Sequence, residues 1–161
     1  MRTALVVVVP EAEPLVGRLR EQYDHPAGGL GVPAHVTLLF PFGDDAEGLE
    51  ELFAAAAPFD FSLARTARFA EQPVLFLEPE PAEAFVRLIE ALIARYPGFP
   101  PYGGEYETIV PHLTVGYEVP EDVEESLRPG LPIRSRAESV TWLEEGPDGR
   151  WRERRRFAFG G

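Results

Sequence analysis

Ala34-His35-Val36-Thr37-Leu38-Leu39-Phe40 and Pro111-His112-Leu113-Thr114-Val115-Gly116-Tyr117 are two versions of one pattern, His-x-Thr followed by an aliphatic residue. The chain has three histidines, and two of them carry a threonine two positions on. Both copies lie in runs of aliphatic and β-branched residues, which predicts strands. Side chains two apart on a strand share a face, so His35 and Thr37 point one way while Val36 and Leu38 point the other. The same alternation separates His112 and Thr114 from Leu113 and Val115. Each copy therefore offers an imidazole and a hydroxyl to one side and an apolar pair to a core. Facing each other across a cleft, the copies would form a pocket of two histidines and two threonines.

A chain of 161 residues with 45% hydrophobic content is expected to fold as an ordinary globular protein, either one domain or two small lobes sharing a core. The apolar run Ala4 to Val9 is too short to span a bilayer and lacks a signal-peptide cleavage site, so a cytoplasmic protein with no membrane partner is expected. With no cysteine, disulfides, thiolate chemistry and the commonest structural zinc sites are excluded. A formal net charge of −12 argues against long nucleic acid as a partner, because that binding needs many cationic contacts to phosphate. All 15 basic residues are arginine, and five of them, Arg150, Arg152, Arg154, Arg155 and Arg156, crowd the C-terminal tail.

Outward from the motifs, Thr3 to Val9 predicts a buried strand and Glu11 to Tyr23 a helix with a partial apolar stripe of Leu15, Leu19 and Gln22. A glycine- and proline-rich loop, Asp24 to Pro33, leads into the first motif strand, which Pro41 and Gly43 are expected to end. Asp44 to Ala57 predicts a second helix with Asp44 or Asp45 as its N-cap. Phe59 to Phe69 and Pro73 to Leu77 predict an antiparallel hairpin, and Pro79 to Tyr96 the clearest helix, with Phe85, Leu88, Ile89, Leu92 and Ile93 at helical spacing. Another loop, Pro97 to Gly104, precedes the second motif. A short acidic helix at Pro120 to Leu127, one strand at Pro132 to Glu144, a turn at Gly146 to Gly149 and a closing strand at Arg150 to Phe159 complete the chain. Helix, loop and motif recur in the same order in both halves with no linker between, which reads as two similar lobes related by a weak internal repeat.

Laid out this way, His35-Val36-Thr37-Leu38 and His112-Leu113-Thr114-Val115 resemble the paired His-x-(Ser/Thr)-hydrophobic motifs of the 2H phosphoesterase superfamily, the 2′-5′ RNA ligase-like or LigT-like family. The resemblance is sharp at the two motifs and covers the rest of the chain as an order of elements. It implies an α+β fold, bilobal and pseudo-symmetric, with two antiparallel sheets lining a central cleft and helices on the outside. Residues 1–161 would form a single domain of two interleaved lobes, with the His-x-Thr strands side by side in the cleft floor. The resemblance also implies an enzyme acting on phosphoesters of RNA ends and small nucleotides, 2′,3′-cyclic phosphates and 2′-5′ linkages in particular, without metal or cofactor. By motif position, His35 and His112 become the acid/base pair, and Thr37 and Thr114 the ligands of the phosphate oxygens.

The residue types suit that chemistry. Opening a cyclic phosphodiester removes a proton from water and delivers one to the departing ribose oxygen, and imidazole, with a pKa of about 6.5, does either near neutrality. Threonine hydroxyls donate to phosphate oxygens where charge accumulates. Spacing leaves open which histidine is base and which is acid. Phe42, Tyr102 and Tyr117, with Phe40 and Tyr106, are candidates for stacking on a nucleobase at the cleft rim, against ordinary lobe packing as the plainer account. Arg152, Arg154 and Arg156 are expected on one face of the last strand, either as a charged sheet edge or with one of them reaching a terminal phosphate. His25 is expected in a loop, Glu105 and Glu107 on a loop or strand surface, and no acidic or histidine side chain stands at a usual metal-ligand spacing from the histidines. The leading expectation is a metal-independent cyclic phosphodiesterase, a monomer whose partner is a small nucleotide or RNA-terminus phosphoester. RNA end-joining and a non-catalytic nucleotide-binding module are the alternatives.

Overall fold

A computed structural model of the chain describes residues 2–104 and 109–161. Glu105, Tyr106 and Glu107 lie outside them. In chain order come β1 (Thr3–Val8), α1 (Glu13–Tyr23), β2 (His35–Phe42), α2 (Leu49–Ala54), β3 (Phe59–Arg68), β4 (Val74–Glu80), α3 (Glu83–Arg95), β5 (Leu113–Tyr117), α4 (Glu121–Leu127), β6 (Ile133–Ala137), β7 (Ser139–Glu145) and β8 (Trp151–Ala158). They build two antiparallel four-stranded sheets, in the orders β2-β1-β7-β8 and β5-β4-β3-β6. The expected α+β architecture is the observed one.

The helices cross between the sheets. α1 follows β1 of the first sheet yet packs on β5 of the second, and α3 follows β4 of the second sheet yet packs on β2 of the first. One continuous apolar core results, joining Leu5, Val36 and Leu38 of the first sheet to Leu75, Leu113 and Val115 of the second through Val16 of α1 and Leu92 of α3. Each motif strand is thus backed by a helix from the other half of the chain. Among the described residues, no helix is long and apolar enough to cross a membrane.

Several local expectations change. Pro41 does not end the first motif strand, which runs to Phe42, because β2 is an edge strand, where a residue without an N–H is tolerated. The second helix is only Leu49–Ala54, preceded by Gly48 in a left-handed conformation at φ 86°, and Asp45 accepts the Glu47 N–H at 3.0 Å instead of capping a helix. The strand expected over Pro132 to Glu144 is two, β6 on β3 and β7 on β1, in different sheets. Burial marks the break: Ile133 and Ala137 share one phase of alternation, whereas Val140 and Trp142 take the other. On α1 the buried positions are Val16 and Arg20, with Leu15 and Leu19 only part-buried, so the inward face is turned from the expected stripe. α3 begins at Glu83 rather than Pro79 because β4 continues to Glu80.

The contact between α1 and β5 leaves no room at Gly116, where a Cβ would run into the Tyr23 side chain and press on its backbone. Gly116→Ala is therefore expected to destabilise the protein by about 1–3 kcal/mol, as overpacking does. Urea unfolding should show a lower midpoint with an unchanged slope. An unchanged midpoint would mean that α1 is free to shift away from β5.

Candidate active site

β2 and β5 are the edge strands of their two sheets and lie next to one another, each hydrogen-bonded to its own sheet rather than to the other. They lie side by side, as the resemblance implies, but as edges of separate sheets and not as neighbours in one ladder. Val36, Leu38, Leu113 and Val115 are buried, and His35, Thr37, His112 and Thr114 are half-buried on the opposite face. Val8 stands opposite His35 and Val6 opposite Thr37. These valines belong with Ala4, Val32, Leu143 and Trp151 to a second apolar cluster, which covers the histidine side of the first sheet. In the second sheet Phe76 stands opposite Thr114.

Both imidazoles are anchored in the same way. His35 Nδ1 lies 2.7 Å from the Pro33 carbonyl and His112 Nδ1 lies 2.6 Å from the Val110 carbonyl, in each case two residues upstream. A carbonyl only accepts, so each Nδ1 carries the proton and each neutral ring keeps its lone pair on Nε2. The rings differ in their surroundings. His112 meets Phe69 and Phe76 edge-on, at ring centroid distances of 5.0 and 5.5 Å, and those two phenylalanines stack at 4.3 Å. Burial pushes the His35 imidazole down to about 3, the Arg20 guanidinium and the His112 ring adding to the effect against the hydrogen bond to Pro33. His112 is lowered by burial alone, opposed by its bond to Val110.

The aromatic candidates separate. Phe42 is 2% exposed and packs on Tyr96, Phe99 and Trp142, so it is a core residue with no face for a base. Tyr102 sits at φ 51° in the loop after α3, edge-on to Phe40 at 6.3 Å. Phe40 in turn packs on Trp151 at 6.0 Å. Tyr117 ends β5 and is 45% exposed. Tyr106 lies outside the described residues. The C-terminal arginines are engaged in ion pairs: Arg152 with Asp148 at 2.8 Å, Arg155 with Glu50 at 3.1 Å, Arg156 with Glu153 at 2.7 Å, and Arg154 with Asp44 while its guanidinium covers Trp142. A bulge between the Trp142 and Leu143 pairings leaves Arg154 out of register, so the shared face expected of Arg152, Arg154 and Arg156 is broken. His25 lies in the loop between α1 and β2. Among the described residues, no three histidine or carboxylate side chains converge to hold a metal ion.

Phe69, Phe76 and Arg20 escaped the sequence reading. The phenylalanines lie in the hairpin opposite β5, and no periodicity tells which strand a hairpin will pair with next. Arg20 left a faint signal, since it follows Val16 by four on α1 and puts a charge where the buried face of the helix runs.

A profile described as the 2′-5′ RNA ligase superfamily matches residues 8–151. Among solved structures, the chain is similar to E. coli LigT complexed with 3′-AMP, at 18% identity and a TM-score of 0.67 over 99% of this chain and 98% of that one. It is also similar to TT0787 of Thermus thermophilus, at 24% identity and a TM-score of 0.63 over 98% and 97%. A structure titled simply a phosphoesterase matches at 17% identity and a TM-score of 0.63 over 99% of both chains. At these identities the likeness is one of fold. No curated protein matches.

A histidine held neutral in the folded state takes up a proton more readily when unfolded, so the stability it contributes is full above the ordinary histidine pKa and is lost as pH falls from there towards about 3. His112 acts in the same direction. Between pH 7 and 4 the wild-type protein should lose stability more steeply than His35→Gln, as measured by thermal unfolding in matched buffers. Parallel curves would show that His35 protonates as freely in the fold as outside it.

Proposed function

The chain belongs to the 2′-5′ RNA ligase superfamily, and on that footing we propose that it hydrolyses a cyclic phosphodiester of the 2′,3′-cyclic nucleotide type, or a 2′-5′ phosphoester, by two-histidine acid/base catalysis without a metal. The observation that carries this is the matched pair of imidazoles, both fixed through Nδ1 on an upstream carbonyl, which leaves the lone pair of each neutral ring on Nε2. One ring accepts a proton while the other donates. His35 is the harder to protonate, with a cation and the second ring both disfavouring its charged form, so a single proton shared by the pair rests on His112. His35 Nε2 then takes a proton from water as the water oxygen bonds to phosphorus. The bond from phosphorus to the leaving ribose oxygen breaks, and His112 Nε2–H protonates that oxygen. Thr37 and Thr114 hydroxyls donate to the non-bridging oxygens, in a cleft whose apolar lining of Val6, Val8 and Phe76 strengthens each such bond.

Small substrates fit best. E. coli LigT is described in complexes with 3′-AMP, with ATP, with NADP+ and with phosphate, which supports a nucleotide-sized ligand here. The net charge of −12 and the ion pairing of Arg152, Arg154, Arg155 and Arg156 leave little cationic surface for a long polyanion.

On a panel of 2′,3′-cyclic nucleotides the rate should follow a bell-shaped pH profile and survive a chelator. His35→Ala and His112→Ala should each lose about 10²–10⁴ in kcat, and Thr37→Val or Thr114→Val about 10²–10³. A substrate with a much better leaving group separates the roles: it should rescue His112→Ala, which lacks the acid, and leave His35→Ala slow. Wild-type rates in either alanine variant would exclude the assignment, and the reverse pattern of rescue would exchange acid and base.

A further inference from the structure

The loop before β2 is tied to α1 at polar points on both sides of one residue. Arg20, 2% exposed, donates from Nη1 to the Val32 carbonyl at 2.7 Å. Glu13 accepts the Ala34 N–H at Oε1 over 2.6 Å, and Gly17, one turn along, leaves the space its carboxylate occupies. The Ala34 carbonyl in turn accepts the Val9 N–H at 2.8 Å. Between these bonds stands Pro33, whose carbonyl holds His35 Nδ1. The start of the same loop turns on Asp24, whose carbonyl accepts the N–H groups of Ala27 and Gly29, and whose side chain, also buried, approaches Arg20 Nη2 at 3.5 Å.

The guanidinium is only partly satisfied. Among the described residues its buried Nε and Nη2 have no well-formed hydrogen bond, Nη2 standing 3.5 Å from the Asp24 carboxylate. A buried and incompletely paired ion generally costs stability relative to an apolar side chain of similar volume. Arg20 continues the face of α1 begun by Val16, where a methionine or leucine would pack without that cost. What an apolar residue would not supply is a bond to the loop that anchors His35 and a positive charge that acts on that imidazole. Among the described residues, the charge of no cation bears on His112 in that way.

Resting on the two-histidine reading above, we propose that Arg20 is a positioning residue that makes the two histidines unequal: its bond to Val32 sets the Pro33 carbonyl that orients His35, and its buried charge keeps the shared proton on His112. The charged and titratable groups around His35 are Arg20 and Glu13 from α1, Asp24 from the loop that follows it, and His112 from the other sheet. Neither ring is hydrogen-bonded to a carboxylate of the described residues.

Arg20→Met combined with Asp24→Asn removes both buried charges at once. Arg20→Gln removes the cation but keeps an amide donor for Val32, and Asp24, whose carboxyl burial already raises, then takes up a proton. Ring 15N NMR titration of the protein without substrate reads the outcome directly. In both variants His35 is expected to protonate at a pH higher by about one unit, a tenfold change in its proton affinity, with His112 moved less. The acid limb of the kcat pH profile should rise with it, whereas Arg20→Lys, which keeps the charge, should leave the His35 titration low. A folded variant of either kind with His35 titrating as in the wild type, or with both rings moved equally, overturns the inference. Failure of the proposed reaction shows differently: the wild type would then turn over no phosphoester on the panel, whatever the titrations of the variants.

Discussion

Burial of Val36, Leu38, Leu113 and Val115 in one common core is the constraint on which the rest of the site depends. A fully buried aliphatic side chain is worth about 1.5–3 kcal/mol relative to an exposed one. A slip of one residue in either strand would turn its pair to solvent and its histidine and threonine into the core. The register that satisfies the core is therefore the register that presents the polar residues to the cleft. Because α1 backs β5 and α3 backs β2, neither motif strand is supported by its own half alone. The two halves hold each other's motif strand.

Local hydrogen bonding then gives both imidazoles the same tautomer, while the surroundings give them different proton affinities. The acid/base reading proposed above needs both equal orientation and unequal charge preference, since a pair protonated together repels and a pair neutral together has no acid. The cleft provides the first through the Pro33 and Val110 carbonyls, and the second through burial on both sides with a cation on one. A bound phosphate monoanion or dianion raises the proton affinity of both rings, because an adjacent negative charge favours imidazolium. A lowered proton affinity is consequently compatible with the acid role proposed above.

The surface charge serves a different purpose. Exposed ion pairs such as Arg152 with Asp148 or Arg156 with Glu153 contribute little stability, generally about 0–1 kcal/mol. Their effect is on β8, the outer edge of the first sheet, where a row of charged side chains discourages pairing with another strand. The arginine-rich tail thus has an account that requires no ligand.

Taken alone, the sequence determined the two strands that matter, the face each histidine and threonine takes, most helices and hairpins, and the family. The strands, faces and helices follow from short-range periodicity, which the chain displays residue by residue, and the family from the resemblance carried by the two His-x-Thr motifs. Signals that were present but subtle concern β6 and β7, where the apolar alternation changes phase at Glu138, and Arg20, a charge on an inward helix face. Only the tertiary structure decided that the motif strands meet as edges of separate sheets, that Phe42 is core, that Phe69 and Phe76 flank His112, and that Arg20 is bonded to the loop that anchors His35. Those facts depend on contacts between residues far apart in the chain, and burial and electrostatic coupling across such contacts leave no period in a sequence.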